Sequence, residues 1–254
     1  MMIGHTLIGT GDTKVLVLHG WFGDYTAFEP TFNSFDLNAL SFAFVDYRGY
    51  GKSKDMSGEY SMKEIAADAI ALVDELGWQD FHIVGHSMGG MAAQRVLVDI
   101  DNPARIKSII AVTPVPACGV PFDEGTHDLF HGAINNDENR YNILDFTTGN
   151  RNSAAWLNYM VEHSHETTIE AAYAGYLTAW SETDFSDEVK GNEVPMLVCI
   201  GAHDPAFTEE AMTGSYMAWY PNARLEIIAN AGHYPMFEAP VNLATLIGNF
   251  IAEH

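Results

Sequence analysis

The chain has 254 residues, 47% of them hydrophobic and 12% aromatic, enough for one large folded domain or a domain with a sizeable insertion, and this excludes general disorder. Twelve Lys and Arg stand against 34 Asp and Glu, a formal net charge of −22, and a field of that sign repels phosphate backbones and anionic lipid, which argues against nucleic-acid and membrane-surface partners. The two cysteines, Cys118 and Cys199, have no metal-ligand spacing, the N-terminus shows no signal-peptide pattern and no apolar run reaches the length of a membrane span, so the expectation is a soluble cytoplasmic protein.

In chain order, short apolar runs alternate with helical patterns. Val15–Leu18 ends at His19-Gly20, Phe42–Val45 ends at Asp46, and Phe81–Val84 ends at Gly85. Ile106–Val112, Met196–Ile200 and Leu225–Ile228 follow. Runs this short and this apolar suit strands buried on both faces of a parallel sheet. Helices are predicted over Ser61–Leu76, where Ser61 and Glu64 form a capping-box pattern, and over Met88–Ile100, Thr208–Tyr220 and Pro240–Ala252. Strands alternating with helices imply βαβ units and an α/β, doubly wound, mostly parallel sheet.

Residues 118–190 break this rhythm. They contain no buried-strand run, but carry amphipathic stretches around Asp123–Ile134, Ala154–His163 and Thr168–Trp180. The expectation is a helical lid over 118–190, inserted into a core formed by 1–117 and 191–254. It holds 13 Asp and Glu against three Lys and Arg. If that acidity faces the mouth of a pocket, neutral or cationic substrates are favoured over anionic ones. Arg140 and Arg151 are the only arginines there that could hold a substrate carboxylate.

Gly85-His86-Ser87-Met88-Gly89 is a G-x-S-x-G string, preceded by a strand and followed by a helix. That is the strand–turn–helix setting in which a strained serine stands exposed at the sheet edge. A serine hydroxyl needs a base, and the base needs a carboxylate to orient it. Asp204 follows the run Met196–Ile200, and His233 follows Leu225–Ile228, so both lie on loops at the edge that carries Ser87. The loop His19-Gly20-Trp21-Phe22-Gly23-Asp24 would supply one backbone N–H for an oxyanion, from Trp21, and Met88 the other. His19 and His86 read as structural; His163-Ser164-His165 could touch a metal, but no carboxylate or cysteine spacing completes a site. The expectation is no metal and no cofactor.

These motifs together resemble the α/β-hydrolase superfamily, in particular its small lidded esterase-like members. His19-Gly20-Trp21 is similar to the oxyanion loop and Asp46-Tyr47-Arg48-Gly49-Tyr50-Gly51-Lys52-Ser53 to the structural D-x-R-G-x-G-x-S loop. Gly85–Gly90 matches the elbow, Gly201–Asp204 the acid loop and Gly232-His233 the base loop, so the resemblance covers nearly the whole chain. The short segment Met1–Thr10 implies abbreviated first antiparallel strands. The resemblance implies a serine hydrolase with Ser87 as nucleophile, His233 as base and Asp204 as acid, acting on a carboxylic ester or lactone through an acyl-enzyme, with water as co-substrate. Dehalogenases and epoxide hydrolases of this fold use an aspartate where Ser87 stands. Carbon–carbon bond hydrolases often place asparagine before the serine and tryptophan after the base, where this chain has His86 and Tyr234. A carbon–carbon hydrolase or thioesterase remains an alternative, as does a non-catalytic ligand-binding or receptor protein. Perhydrolysis is a conceivable side reaction. Phe22, Trp156, Tyr159, Tyr176, Trp180 and Tyr234 are the candidate substrate-binding residues, drawn from an aromatic set that also includes Phe122 and Phe130. Oligomeric state is open.

Overall fold

The computed structural model describes residues 2–254. Its centre is a seven-stranded sheet: β1 (His5–Ile8), β2 (Thr13–Leu18), β3 (Leu40–Val45), β4 (Phe81–His86), β5 (Ile106–Val112), β6 (Met196–Gly201) and β7 (Ala223–Ile228). The spatial order is β1-β3-β2-β4-β5-β6-β7, and only the β1–β3 pairing is antiparallel. The apolar runs fall in register, with Val17 beside Val84, Val84 beside Ile110 and Val112 beside Cys199. All five are within 2% of complete burial, as a sheet covered on both faces requires.

β7 departs from that expectation. It is the sheet edge, paired only with β6, so Leu225 is half-buried and Ile227 is 47% exposed. Arg224 and Glu226, both exposed, interrupt its apolar residues and are the sequence signal of a side open to solvent.

The helices are α1 (Met62–Glu75), α2 (Met88–Asp99), α3 (Glu124–Gly132), α4 (Asp137–Thr147), α5 (Ala154–Thr167), α6 (Glu170–Glu182), α7 (Ser186–Val189), α8 (Glu209–Gly214), α9 (Tyr216–Trp219), α10 (Pro235–Glu238) and α11 (Pro240–Glu253). Ser61 caps α1 through its Oγ, which accepts from the Glu64 amide at 3.1 Å. The reciprocal half of the capping box does not form. The Glu64 carboxylate instead accepts from the amides of Glu59 and Tyr60, which holds the preceding turn. The predicted helix over Thr208–Tyr220 is broken at Ser215, whose φ of −122° and ψ of −92° interrupt the helical path between α8 and α9. No helix among the described residues is long and apolar enough to cross a membrane.

Helices α3 to α7 all fall between β5 and β6. α4 has no counterpart in the sequence reading. Its first turn, Asp137-Glu138-Asn139-Arg140, is wholly polar and masks the buried face made by Ile143 and Leu144. Asn136 caps it by accepting from the Glu138 amide at 2.9 Å.

Sheet order places the site. β2 lies between β3 and β4, so the loops after β2 and β4 are neighbours at the point where strand order reverses, where open α/β sheets form their binding crevice. The Asp46 loop braces this region. Its carboxylate accepts from the amides of Tyr25 and Lys52 at 3.0 and 2.9 Å, and burial raises its pKa to about 6.

Candidate active site

Ser87 follows β4 directly and adopts φ 55°, ψ −118°, a conformation that costs a non-glycine residue about 1–3 kcal/mol. The turn survives because its neighbours over-determine it. The Ser87 N–H donates to Val112 O at 2.9 Å, and its carbonyl accepts from Gly90 and Val115 at 2.8 and 3.0 Å. A Cβ on Gly85 would lie 2.3 Å from Gly89 O, and one on Gly89 would lie 2.3 Å from Leu18 O, so both positions exclude any larger residue. Ser87 therefore stands at the N-terminus of α2, where the helix dipole favours negative charge.

Asp204 and His233 meet there. His233 Nε2 is 2.9 Å from Ser87 Oγ, and His233 Nδ1 is 2.7 Å from Asp204 Oδ2. The Asp204 side chain is fully buried, and its Oδ1 accepts from the amides of Ala206 and Phe207 at 2.9 and 3.3 Å. Phe207 stacks on the imidazole with ring centres 5.3 Å apart. The bond to Asp204 places the ring proton on Nδ1 and leaves Nε2 free to accept from the serine hydroxyl.

The loop after β2 closes the other side. A Cβ on Gly20 would lie 2.7 Å from His86 Nδ1 and 3.3 Å from Ser87 Cβ, so only glycine lets the loop approach so near. Trp21 is fixed by its indole N–H donating to Tyr173 O at 2.8 Å, by stacking on Tyr173 at 4.0 Å, and by Tyr50 Oη donating to its carbonyl at 2.9 Å. No acceptor for the Trp21 or Met88 backbone N–H is found among the described residues, so both amides are available to a ligand oxygen. His19 and His86 are buried, as their structural reading requires. Burial lowers His19 to about 4 and holds His86 well below the ordinary imidazole value, so both are neutral. His86 Nε2 then donates to His233 O at 2.8 Å.

Ser87 and His233 open into a cavity of about 580 Å³. Of the six substrate-binding candidates, Phe22, Trp180 and Tyr234 line it, together with Trp21. The other three lie elsewhere. Tyr176 is fully buried against Tyr47, Tyr50 and Tyr60, Tyr159 is 48% exposed and stacked on His163, and Trp156 packs behind Tyr234 and Phe237. Aromatic composition marks the insertion but cannot say which faces turn inward. The wall also takes Val120, Phe122, Leu129, Phe130, Ile143, Phe146 and Thr147 from the insertion and Phe207 from the loop that carries Asp204. Ile143, Phe146 and Thr147 belong to α4 and were hidden by its polar start.

The insertion's arginines are committed to the protein. Arg140 is 3% exposed, donates to Ala133 O, Ile134 O and Ser164 Oγ, and lies over the Tyr173 ring. Arg151 faces Glu238 at 3.4 Å. Among the described residues no Lys or Arg lines the cavity, and the one carboxylate there is Asp123, just before α3. His163 and His165 turn to different partners: Thr26 and Asp24 for the first, Asp137 for the second.

A family profile described as alpha/beta hydrolase fold matches residues 13–240. A non-heme haloperoxidase of Rhodococcus erythropolis is 27% identical over 204 residues, covering 74% of this chain and 73% of that protein. A 2-hydroxymuconate semialdehyde hydrolase of Pseudomonas putida is 26% identical over 219 residues, covering 82% and 75%. The structure of an esterase from Exiguobacterium antarcticum superimposes with a TM-score of 0.86 at 19% identity, covering 98% of this chain and 95% of that one. A profile match over nearly the whole sheet, joined to a serine on a strained strand–helix turn, establishes that this chain belongs to the alpha/beta hydrolase fold family.

Proposed function

We propose that the protein hydrolyses a neutral, predominantly apolar carboxylic ester or lactone through an acyl-enzyme on Ser87. The observation that carries this reading is the continuous hydrogen-bond chain from Asp204 through His233 to Ser87, with bonds of 2.7 and 2.9 Å, opening into a cavity with apolar walls. Ser87 Oγ attacks the substrate carbonyl carbon while His233 Nε2 takes the hydroxyl proton. The buried Asp204 carboxylate stabilises the imidazolium that forms. The amides of Trp21 and Met88 donate to the oxyanion. The tetrahedral species collapses as the imidazolium gives its proton to the leaving alkoxide oxygen. Water, deprotonated by the same imidazole, then attacks the acyl carbon, and Ser87 leaves with the proton. The insertion acts as the lid of this site.

The absence of a lysine or arginine from the cavity wall favours uncharged acyl and alcohol groups, and Asp123 opposes a substrate carboxylate. The same feature weighs against a carbon–carbon hydrolase acting on an acidic substrate. A panel of esters and lactones, read against Ser87→Ala and against labelling by a serine-reactive phosphonate, tests the proposal. Neither hydrolysis nor labelling of the native protein would favour a ligand-binding role.

A further inference from the structure

Three steps of the sheet separate the serine from the histidine: β5 and β6 lie between β4, which leads into Ser87, and β7, which leads into His233. At about 4.8 Å per strand, the loop after β7 must carry the imidazole back by roughly 14 Å. A loop with that reach holds a ring in one orientation only if its backbone is pinned. The pins on either side of His233 come largely from residues outside the serine–histidine–aspartate set.

Glu238, in α10, turns back on the loop. Its Oε2 accepts from the amides of both residues flanking the histidine, Gly232 at 2.8 Å and Tyr234 at 3.1 Å. Its side chain is 5% exposed, and its other oxygen faces Arg151 Nη1 at 3.4 Å. The His233 N–H itself donates to Thr147 O, the last residue of α4, at 3.0 Å. The His233 carbonyl accepts from His86 Nε2 and Thr113 Oγ1. The turn after α4 is wedged against both functional loops. A Cβ on Gly232 would lie 2.6 Å from Thr148 Cα, and one on Gly149 would lie 2.8 Å from His203 O, next to Asp204.

We propose that Glu238 is a positioning residue for His233, and that Arg151 and the Thr147 carbonyl couple it to the insertion, so that the insertion aligns the base as well as covering the cavity. The inference rests on the reading of His233 as the general base. α4 carries Ile143, Phe146 and Thr147 on the cavity wall. A substrate seated against that wall therefore presses on the same turn that holds the His233 amide. Misplacement of a reacting group by about 1 Å costs on the order of 100-fold in rate, so loss of these pins is read in kcat.

The test compares Glu238→Ala, Glu238→Gln and Arg151→Ala with the native protein. The readouts are thermal melting, steady-state hydrolysis of a neutral ester, the rate of Ser87 labelling by a phosphonate, and the downfield proton NMR signal of His233 Nδ1–H. Glu238→Ala is expected to lower kcat about 30-fold with KM within about twofold, to slow labelling in parallel and to broaden the downfield proton. Glu238→Gln should stay within about threefold, because its amide oxygen can replace Oε2 and accept from both N–H groups. Arg151→Ala should cost about two- to fivefold alone and nothing further on Glu238→Gln, because the two side chains act as one unit. A Glu238→Ala kcat within about twofold of native, an equal loss in the Ala and Gln variants, or a change in KM alone overturns the proposal. Should Glu238→Ala not fold, the Arg151 pair decides: no loss in the native background, or equal losses in both, overturns it. If the native protein neither hydrolyses esters nor reacts with the phosphonate, the ester-hydrolase reading fails, while the downfield proton still reports whether Glu238 fixes the imidazole.

Discussion

His82 provides a test of the fold that is independent of activity. It lies in β4, 5% exposed, and its Nδ1 shares a 2.8 Å hydrogen bond with Ser108 Oγ on β5. Burial lowers its pKa from 6.5 to about 4, and the charges of His254 and Lys107 act in the same direction. Between those two values the unfolded chain binds a proton that the folded chain refuses. Stability is therefore lost as the pH falls from above 6.5 towards 4, and the loss levels off below 4. At about 1.36 kcal/mol per pH unit of displacement, the part due to His82 between pH 7 and pH 4 is about 3 kcal/mol. His82→Asn removes the titration and keeps an amide within reach of Ser108 Oγ. Unfolding free energies from urea denaturation at pH 7, 5.5 and 4 should fall about 3 kcal/mol less for the variant than for the native protein over that interval. Other groups set the background slope. His19, lowered to about 4, and His86, held well below the ordinary imidazole value, have the same sign. Asp46, raised to about 6, has the opposite sign, because its folded carboxyl holds a proton that is lost, with the stability it gives, as the pH rises through 6. All are present in the two proteins and cancel in the difference. Parallel pH dependences for native and His82→Asn would refute the reasoning.

Ser87→Ala and His233→Ala should each lower kcat/KM for a neutral ester by about 10⁵-fold, and Asp204→Asn by about 10⁴-fold through the wrong imidazole tautomer, as read by steady-state kinetics on folded variants. Gly89→Ala would push a Cβ to 2.3 Å from Leu18 O and 2.7 Å from His19 O, backbone that cannot step aside. Its unfolding free energy should fall by about 3 kcal/mol or more. Gly77→Ala meets no atom within 4 Å and should cost only the roughly 1–2 kcal/mol of its left-handed φ of 68°. For matched esters, a neutral acyl group should exceed its carboxylate-bearing analogue in kcat/KM by about tenfold or more at low salt. Asp123→Asn, which preserves the cap on α3, should narrow that gap, and an unchanged ratio would leave cavity shape as the sole selector.

How far the sequence reached depends on the range of the interactions involved. Val15–Leu18 and Met196–Ile200 announce buried strands because continuous apolar runs that end at His19-Gly20 and at Gly201 leave the chain few other places to put them. Ser87, Asp204 and His233 could be named because each sits just past such a run, and a parallel sheet gathers all those ends on one edge. Ser61 as a cap was legible for the same local reason, since its partner is three residues away. Contacts between distant segments were not. α4 begins with polar residues, so only its packing against the base loop shows that Thr147 O holds His233. Trp180 and Tyr176 lie one turn apart on the same face of one helix with similar chemistry, yet one lines the cavity and the other is sealed behind Tyr50, because what covers each turn of that face comes from distant segments. Arg140 is consumed by Ala133, Ile134 and Ser164, and Arg151 by Glu238, which lies 87 residues further along the chain. Residue type and spacing determined which strands form and which groups reach the sheet edge. The tertiary fold alone decided which side chains face the cavity and which groups pin the His233 loop.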